Sequence, residues 1–199
     1  MKWVVAAIVI FIALYTVLTL QFRKTAPAYR PFQDSREKAT VQRLKSAGYR
    51  RITATAERPA EGGQARAAFT ANAALADVTD FVGGLPTELK ETLLDQPRIA
   101  QTFDKVRAPR EVNRLFPYTV EFACGLPDNK QLLAGTYVYV KDEEIAIVTD
   151  FEVIEGELLA RTRESTVLLT IPAGTLHEGT YRVTLVGARG SKQWTLQVH

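Results

Sequence analysis

Hydrophobic and polar positions divide the chain into stretches of different texture. From Trp3 to Phe22, WVVAAIVIFIALYTVLTLQF, no charged residue occurs, and side-chain polarity is mainly that of Tyr15, Thr16, Thr19 and Gln21. At about 1.5 Å per residue a helix of this length reaches roughly 30 Å, the thickness of a bilayer's hydrocarbon core. The pattern predicts an N-terminal transmembrane helix over residues 1–22. A cleaved signal peptide is the rival, because Lys2 gives a positive start and Ala26-Pro27-Ala28 resembles a cleavage site. The apolar run is longer than a signal core, and Arg23 and Lys24 stand before that site, which favours an uncleaved anchor.

Pro27 and Pro31 stop that helix from running on, which makes 23–34 a tether. Asp34 or Ser35 then caps a helix over 35–47, with Glu37 placed for a capping box and Gly48 as its C-terminal stop. Val41, Leu44 and Ala47 form its narrow apolar stripe. Alternation through 49–57 (YRRITATAE) predicts a strand, Glu61-Gly62-Gly63 a turn, and 65–76 a weakly patterned returning strand. Pro86 opens a short helix over 87–94 with Leu89, Leu93 and Leu94 on its apolar side. Residues 35–100 thus read as a small α+β juxtamembrane region.

From residue 101 the texture changes to short alternating runs. Strands are expected at 101–107, 118–124, 134–140, 144–149, 157–163, 166–171, 180–186 and 192–198. Turn chemistry separates them at Leu126-Pro127-Asp128-Asn129, Lys141-Asp142-Glu143, Glu155-Gly156, Pro172-Ala173-Gly174 and Gly187-Ala188-Arg189-Gly190. So many short strands in so little chain imply an all-β sandwich over 101–199.

Within it, Leu176-His177-Glu178-Gly179-Thr180-Tyr181 places a Leu, a Gly and then a Tyr at the entry to a strand. This resembles the tyrosine corner of immunoglobulin-like and fibronectin-type-III-like domains, whose Tyr hydroxyl bonds back to backbone a few residues upstream. The resemblance implies an Ig-like sandwich with Tyr181, Val183 and Leu185 facing the core, and Trp194, Leu196 and Val198 doing so from the last strand. It covers about half the chain and implies a fold rather than an activity. With Cys124 as the one cysteine, the disulfide-bonded subclass is excluded.

Charge adds a question of sidedness. The net charge is +3, but residues 23–66 hold eleven Lys/Arg against Asp34, Glu37, Glu57 and Glu61, while 111–199 hold twelve acids against eight bases. Basic residues beside an apolar helix suit an anionic lipid bilayer as partner, and no nucleic-acid-reading motif accompanies them. Arg23, Lys24, Arg30, Arg36 and Lys38 outweigh Lys2 and draw the body toward the cytoplasm, whereas the fold resemblance leans periplasmic. The expected location is the cell membrane, single-pass, with its side open.

Candidate chemistry is sparse. The two histidines, His177 in the corner turn and His199 at the terminus, read as a turn residue and a chain end, and Cys124 as a small buried hydrophobe. Asp142, Glu143 and Glu144 form a hairpin tip, with Asp150 and Glu152 on the following strand, and no EF-hand or phosphate-loop spacing occurs. No catalytic residue, cofactor, metal or small-molecule substrate is expected, so the chain does not read as an enzyme. The expectation is a membrane-anchored interaction protein whose Ig-like domain binds a protein partner through the acidic loops at 141–144 and 150–157. Two alternatives stand beside it. One is a ligand- or glycan-binding envelope domain using Tyr137, Tyr139 and Phe151. The other is an accessory subunit of a membrane complex, assembled through Ala6, Ala7 and Ala13 of the helix.

Overall fold

A computed structural model of the chain describes residues 2, 3, 8, 11, 12, 14–17, 31–57, 74–126, 130–154 and 164–199. Two units divide it, Met1–Glu37 and Lys38–His199. In the first, Lys2, Trp3, Ile8, Phe11, Ile12 and Leu14–Val17 are helical and exposed. Among the described residues no helix is long and apolar enough to cross a membrane. The transmembrane anchor expected over 1–22, and the single-pass membrane location built on it, are corrected on that finding. A crossing needs roughly 20 consecutive apolar residues in one helix. Ala6, Ala7 and Ala13, and residues 18–30 of the run's end and tether, lie outside the described residues.

The second unit is a β-sandwich of two sheets. Its strands are β1 (Arg50–Thr53), β2 (Thr55–Glu57), β3 (Thr79–Val82), β4 (Thr102–Arg107), β5 (Glu111–Val112) and β6 (Tyr118–Gly125). They continue with β7 (Gln131–Lys141), β8 (Glu144–Val153), β9 (Glu164–Ile171), β10 (Gly179–Val186) and β11 (Gly190–Val198). The larger sheet runs β1-β7-β8-β10-β11-β3, with β5 also on β11, and the smaller runs β2-β9-β6-β4. Consecutive β1 and β2 belong to different sheets, because the chain crosses at Ala54 from pairing with β7 to pairing with β9. The strand expected over 49–57 is therefore two edge strands of the sandwich. The strand expected at 157–163 and most of the one at 65–76 lie outside the described residues.

Period-2 alternation explains the packing. Tyr118, Val120, Phe122 and Cys124 of β6, Val167, Leu169 and Ile171 of β9, and Tyr181, Val183 and Leu185 of β10 are all buried in one cluster between the sheets. Trp194, Leu196 and Val198 join it from β11. Each fully buried large aliphatic or aromatic side chain contributes about 1.5–3 kcal/mol, so this cluster dominates stability without any disulfide.

The YVYV run of β7 is apolar at successive positions because that part of the sheet is covered on both faces. Val138 and Val140 point to the sandwich core, while Tyr139 joins Val148, Val186, Leu44, Leu89 and Leu93 in a second cluster. Leu44 comes from helix α1 (Pro31–Ser46), and Leu89 from helix α2 (Thr87–Thr92). Helix α1 starts at Pro31, earlier than the expected 35, since proline's missing N–H is not needed in a first helical turn. Gly48, at φ 82°, stops the helix as expected.

Candidate functional site

Helical cover over the larger sheet is partial, and its margin makes a step. Beyond Tyr139, Val148 and Val186 the outer face turns polar, with Thr180 and Arg182 of β10 and Thr195 and Gln197 of β11 exposed. A groove of about 570 Å³ follows the step, lined by Tyr49, Glu88, Lys141, Glu144, Thr180 and Arg182 among others. Tyr49 and Glu88 stand on the helical side, while Glu144, Arg182, Thr180 and Thr195 lie on the sheet.

Fixed contacts hold the raised wall. The Lys141 ammonium pairs with the Glu88 carboxylate, and the Tyr49 hydroxyl donates to the same carboxylate at 3.3 Å. Lys141 also lies over the Tyr49 ring, 5.1 Å from its centroid. The hydrogen bond from Lys141 keeps the Glu88 carboxyl below its ordinary range and thus ionised. Partial burial, reinforced by Glu88, pushes the Tyr49 phenol up to about 12, so it remains a neutral donor. On the floor, parallel pairing of β8 with β10 sets Glu144 opposite Arg182, whose guanidinium reaches it at 3.1 Å.

Asp142 and Glu143 form the turn between β7 and β8 at the rim, with Asp142 at φ 49°, a left-handed conformation that Asp tolerates better than most residues. Glu88, Asp142, Glu143 and Glu144 against Lys141 and Arg182 give four minus two, a formal charge of −2. Asp150 and Glu152 do not join them, being at the far end of β8, roughly 20 Å or more from Glu144 at about 3.3 Å per residue. Asp150 instead accepts the Arg98 backbone N–H at 2.9 Å, tying that segment to β8. Residues 155–157 of the second expected acidic loop lie outside the described residues. Glu88 and Tyr49 were not singled out in the sequence; they lie too far from the hairpin along the chain for spacing to link them.

Where the sequence resembles a tyrosine corner, the Tyr181 hydroxyl donates to the His177 carbonyl at 3.1 Å, Leu176 is buried, and Gly179 takes φ 152°, which side-chain-bearing residues rarely adopt. Trp194 is buried in the core, its indole N–H donating to the Tyr118 hydroxyl. Cys124 is buried and its thiol donates to the Ser165 carbonyl at 3.1 Å. His199 lies 3.7 Å from Glu111. Of the aromatics considered for a glycan platform, Tyr139 and Phe151 are buried, and Tyr137 is half-buried beneath Arg51. Among the described residues no group of three or more His, Cys, Asp or Glu is placed to hold a metal ion. In comparisons with protein-family models, curated proteins and solved structures, the chain matches none.

Proposed function

We propose that the sandwich is a non-enzymatic protein-binding module, and that the step groove beside the β7–β8 turn receives an extended segment carrying Lys or Arg. The observation that carries this reading is a concave strip with a formal charge of −2, walled by a Tyr49–Glu88–Lys141 cluster and set on a sheet buried on its other face. Acidic side chains on such a frame attract a cationic segment and fix its register more than they tighten it. The rigid strands keep Glu144 and Arg182 at their spacing without a partner, which lowers the ordering cost of binding.

The Ig-like character of the domain belongs to this proposal too. Support for it is the corner bond from Tyr181 to His177 and the two-sheet architecture. The parallel pairings of β10 with β8 and of β11 with β5 depart from the antiparallel sheets of immunoglobulin domains. The reading therefore rests on the groove rather than on kinship.

An array of extended Lys- and Arg-containing peptides tests it. Binding is expected to fall when Asp142→Lys and Glu143→Lys are combined, and to persist in Glu152→Lys, at the far end of β8. Equal binding by all three proteins, or none by the parent, would remove the proposal.

A further inference from the structure

Charge in the step groove fixes a ligand's register more than it tightens binding, so affinity must come from an apolar contact close by. A second hollow of about 570 Å³ adjoins the groove. It lies between helices α1 and α2, and Glu88 lines both hollows. Ala47 of this crevice and Tyr49 of the groove are two residues apart along the chain, which makes the hollows neighbours.

The crevice has spent most of its hydrogen-bonding groups on itself. The Ser46 hydroxyl donates to the Gln42 carbonyl at 3.0 Å, and the Thr92 hydroxyl donates to the Glu88 carbonyl at 2.7 Å. The Arg43 guanidinium of α1 donates to the Glu91 carbonyl of α2 at 2.6 Å, which ties the helices together and sets the crevice's width before any ligand arrives. What remains for a ligand is largely the methyls of Ala39, Ala47 and Thr92 and the stem of Arg43. From Ala39 to Ala47 the helical rise gives a length of roughly 12 Å, room for three or four residues of extended chain.

We propose that the α1–α2 crevice is the affinity subsite for the same ligand as the groove, taking one aliphatic side chain of the segment whose Lys or Arg lies beside the β7–β8 turn. This rests on the reading of the groove given above. One segment fills both hollows because the wall they share is electrically quiet. Of the two Glu88 oxygens, Oε1 is taken by Lys141 and Oε2 by Tyr49. The incoming cation is thus left to Asp142 and Glu143, and the chain on its Glu88 side crosses a neutralised wall into an apolar crevice. The ligand class is therefore a basic residue with an aliphatic side chain within about four residues, on one side only.

Peptide titration against the full chain tests this. The probe is the tightest-binding peptide of the Lys/Arg array, made with leucine or with alanine at each of the four positions on either side of its basic residue. Leucine is expected to lower Kd at least about tenfold at one or two positions on one side, and to change little on the other. Ala39→Trp, which fills the crevice from an exposed helical position, should abolish that gain and leave the Kd of the alanine peptide as in the parent. The unchanged alanine peptide shows that the fold and the groove are intact. Equal affinity of leucine and alanine peptides, or a leucine gain that survives Ala39→Trp, would overturn the subsite and leave the groove reading standing. If no peptide of the array binds the parent, the groove reading falls and the subsite falls with it.

Discussion

The Trp194 indole N–H donates to the Tyr118 hydroxyl at 2.9 Å, and that hydroxyl donates to the Pro109 carbonyl at 3.1 Å. Trp194 lies on β11 of the larger sheet and Tyr118 on β6 of the smaller, so one phenol links the two layers through the core. Both residues are almost fully buried, and burial pushes the Tyr118 phenol far above its ordinary range, fixing it as a neutral donor and acceptor. Tyr118→Phe would take from the buried indole N–H the hydroxyl oxygen it donates to. A loss of about 1–3 kcal/mol is expected from urea unfolding at constant m-value. Tyr181→Phe, which removes a single bond at the corner, should cost about 1 kcal/mol or less. A reversed order would show that the inter-sheet link is not a main fixture of the core.

Thr136 and Thr149 face each other across β7 and β8, both buried, and neither hydroxyl has a hydrogen-bond partner among the described residues. Desolvating a hydroxyl without a partner costs about 1–3 kcal/mol, whereas valine fills nearly the same volume with no polar atom. Replacing both threonines by valine is expected to raise the thermal midpoint, or at worst leave it unchanged. A drop of several degrees by calorimetry would mean that the hydroxyls are satisfied in solution.

Much of the sandwich was legible because period-2 alternation is written locally. Val183 and Leu185, and Trp194, Leu196 and Val198, could be assigned to the core from their own strands, and the bond from Tyr181 back to upstream backbone from six consecutive residues. What pairs with what was not legible. The sequence suggested a separate region over 35–100, yet β1, β2 and β3 complete the edges of the same two sheets, because strand pairing is decided by contacts distant along the chain. β3 and β5 escaped notice because they are four and two residues long, too short for alternation to register. The groove was half legible: Asp142, Glu143 and Glu144 are contiguous, while Glu88 reaches them through the packing of Leu89 and Leu93 on the sheet. The apolar run at 3–22 shows the opposite failure, since hydropathy alone suggested a crossing helix that the described residues do not form.

Burial pushes the Tyr139 phenol up to about 12 and the Tyr49 phenol likewise to about 12. A phenol whose folded pKa exceeds its ordinary 10 keeps its proton longer in the folded state than in the unfolded one. Its contribution is complete below pH 10 and is lost as pH rises through the folded value, so stability should fall between about pH 10 and 12. Ultraviolet difference titration should show phenolate absorbance arriving late and together with unfolding. Tyr139→Phe should remove one late-titrating group and flatten the alkaline slope. The Glu88 carboxyl runs the other way: lowered by its bond to Lys141, it favours the fold above the ordinary carboxyl range and loses that effect on acidification. An alkaline slope unchanged in Tyr139→Phe would assign the high-pH transition to other groups.

Gly83 sits where β3 meets the β10–β11 turn, and a Cβ built there would lie 2.4 Å from the Arg189 carbonyl carbon and 2.6 Å from its oxygen. Both obstacles are backbone, so neither can swing aside as a flexible side chain would. Gly83→Ala must therefore push β3 off β11 or distort the turn, at about 1–3 kcal/mol, the usual cost of overpacking. The adjacent Gly84 offers a control of different kind. A Cβ there meets nothing within 4 Å, but φ 109° makes any L side chain strained. Gly83→Ala should speed amide exchange through β3 and along residues 190–193 of β11, which pair with it, while leaving the β6–β9 ladder protected. If exchange in β3 is unchanged, the glycine is not what holds this edge strand against the sheet.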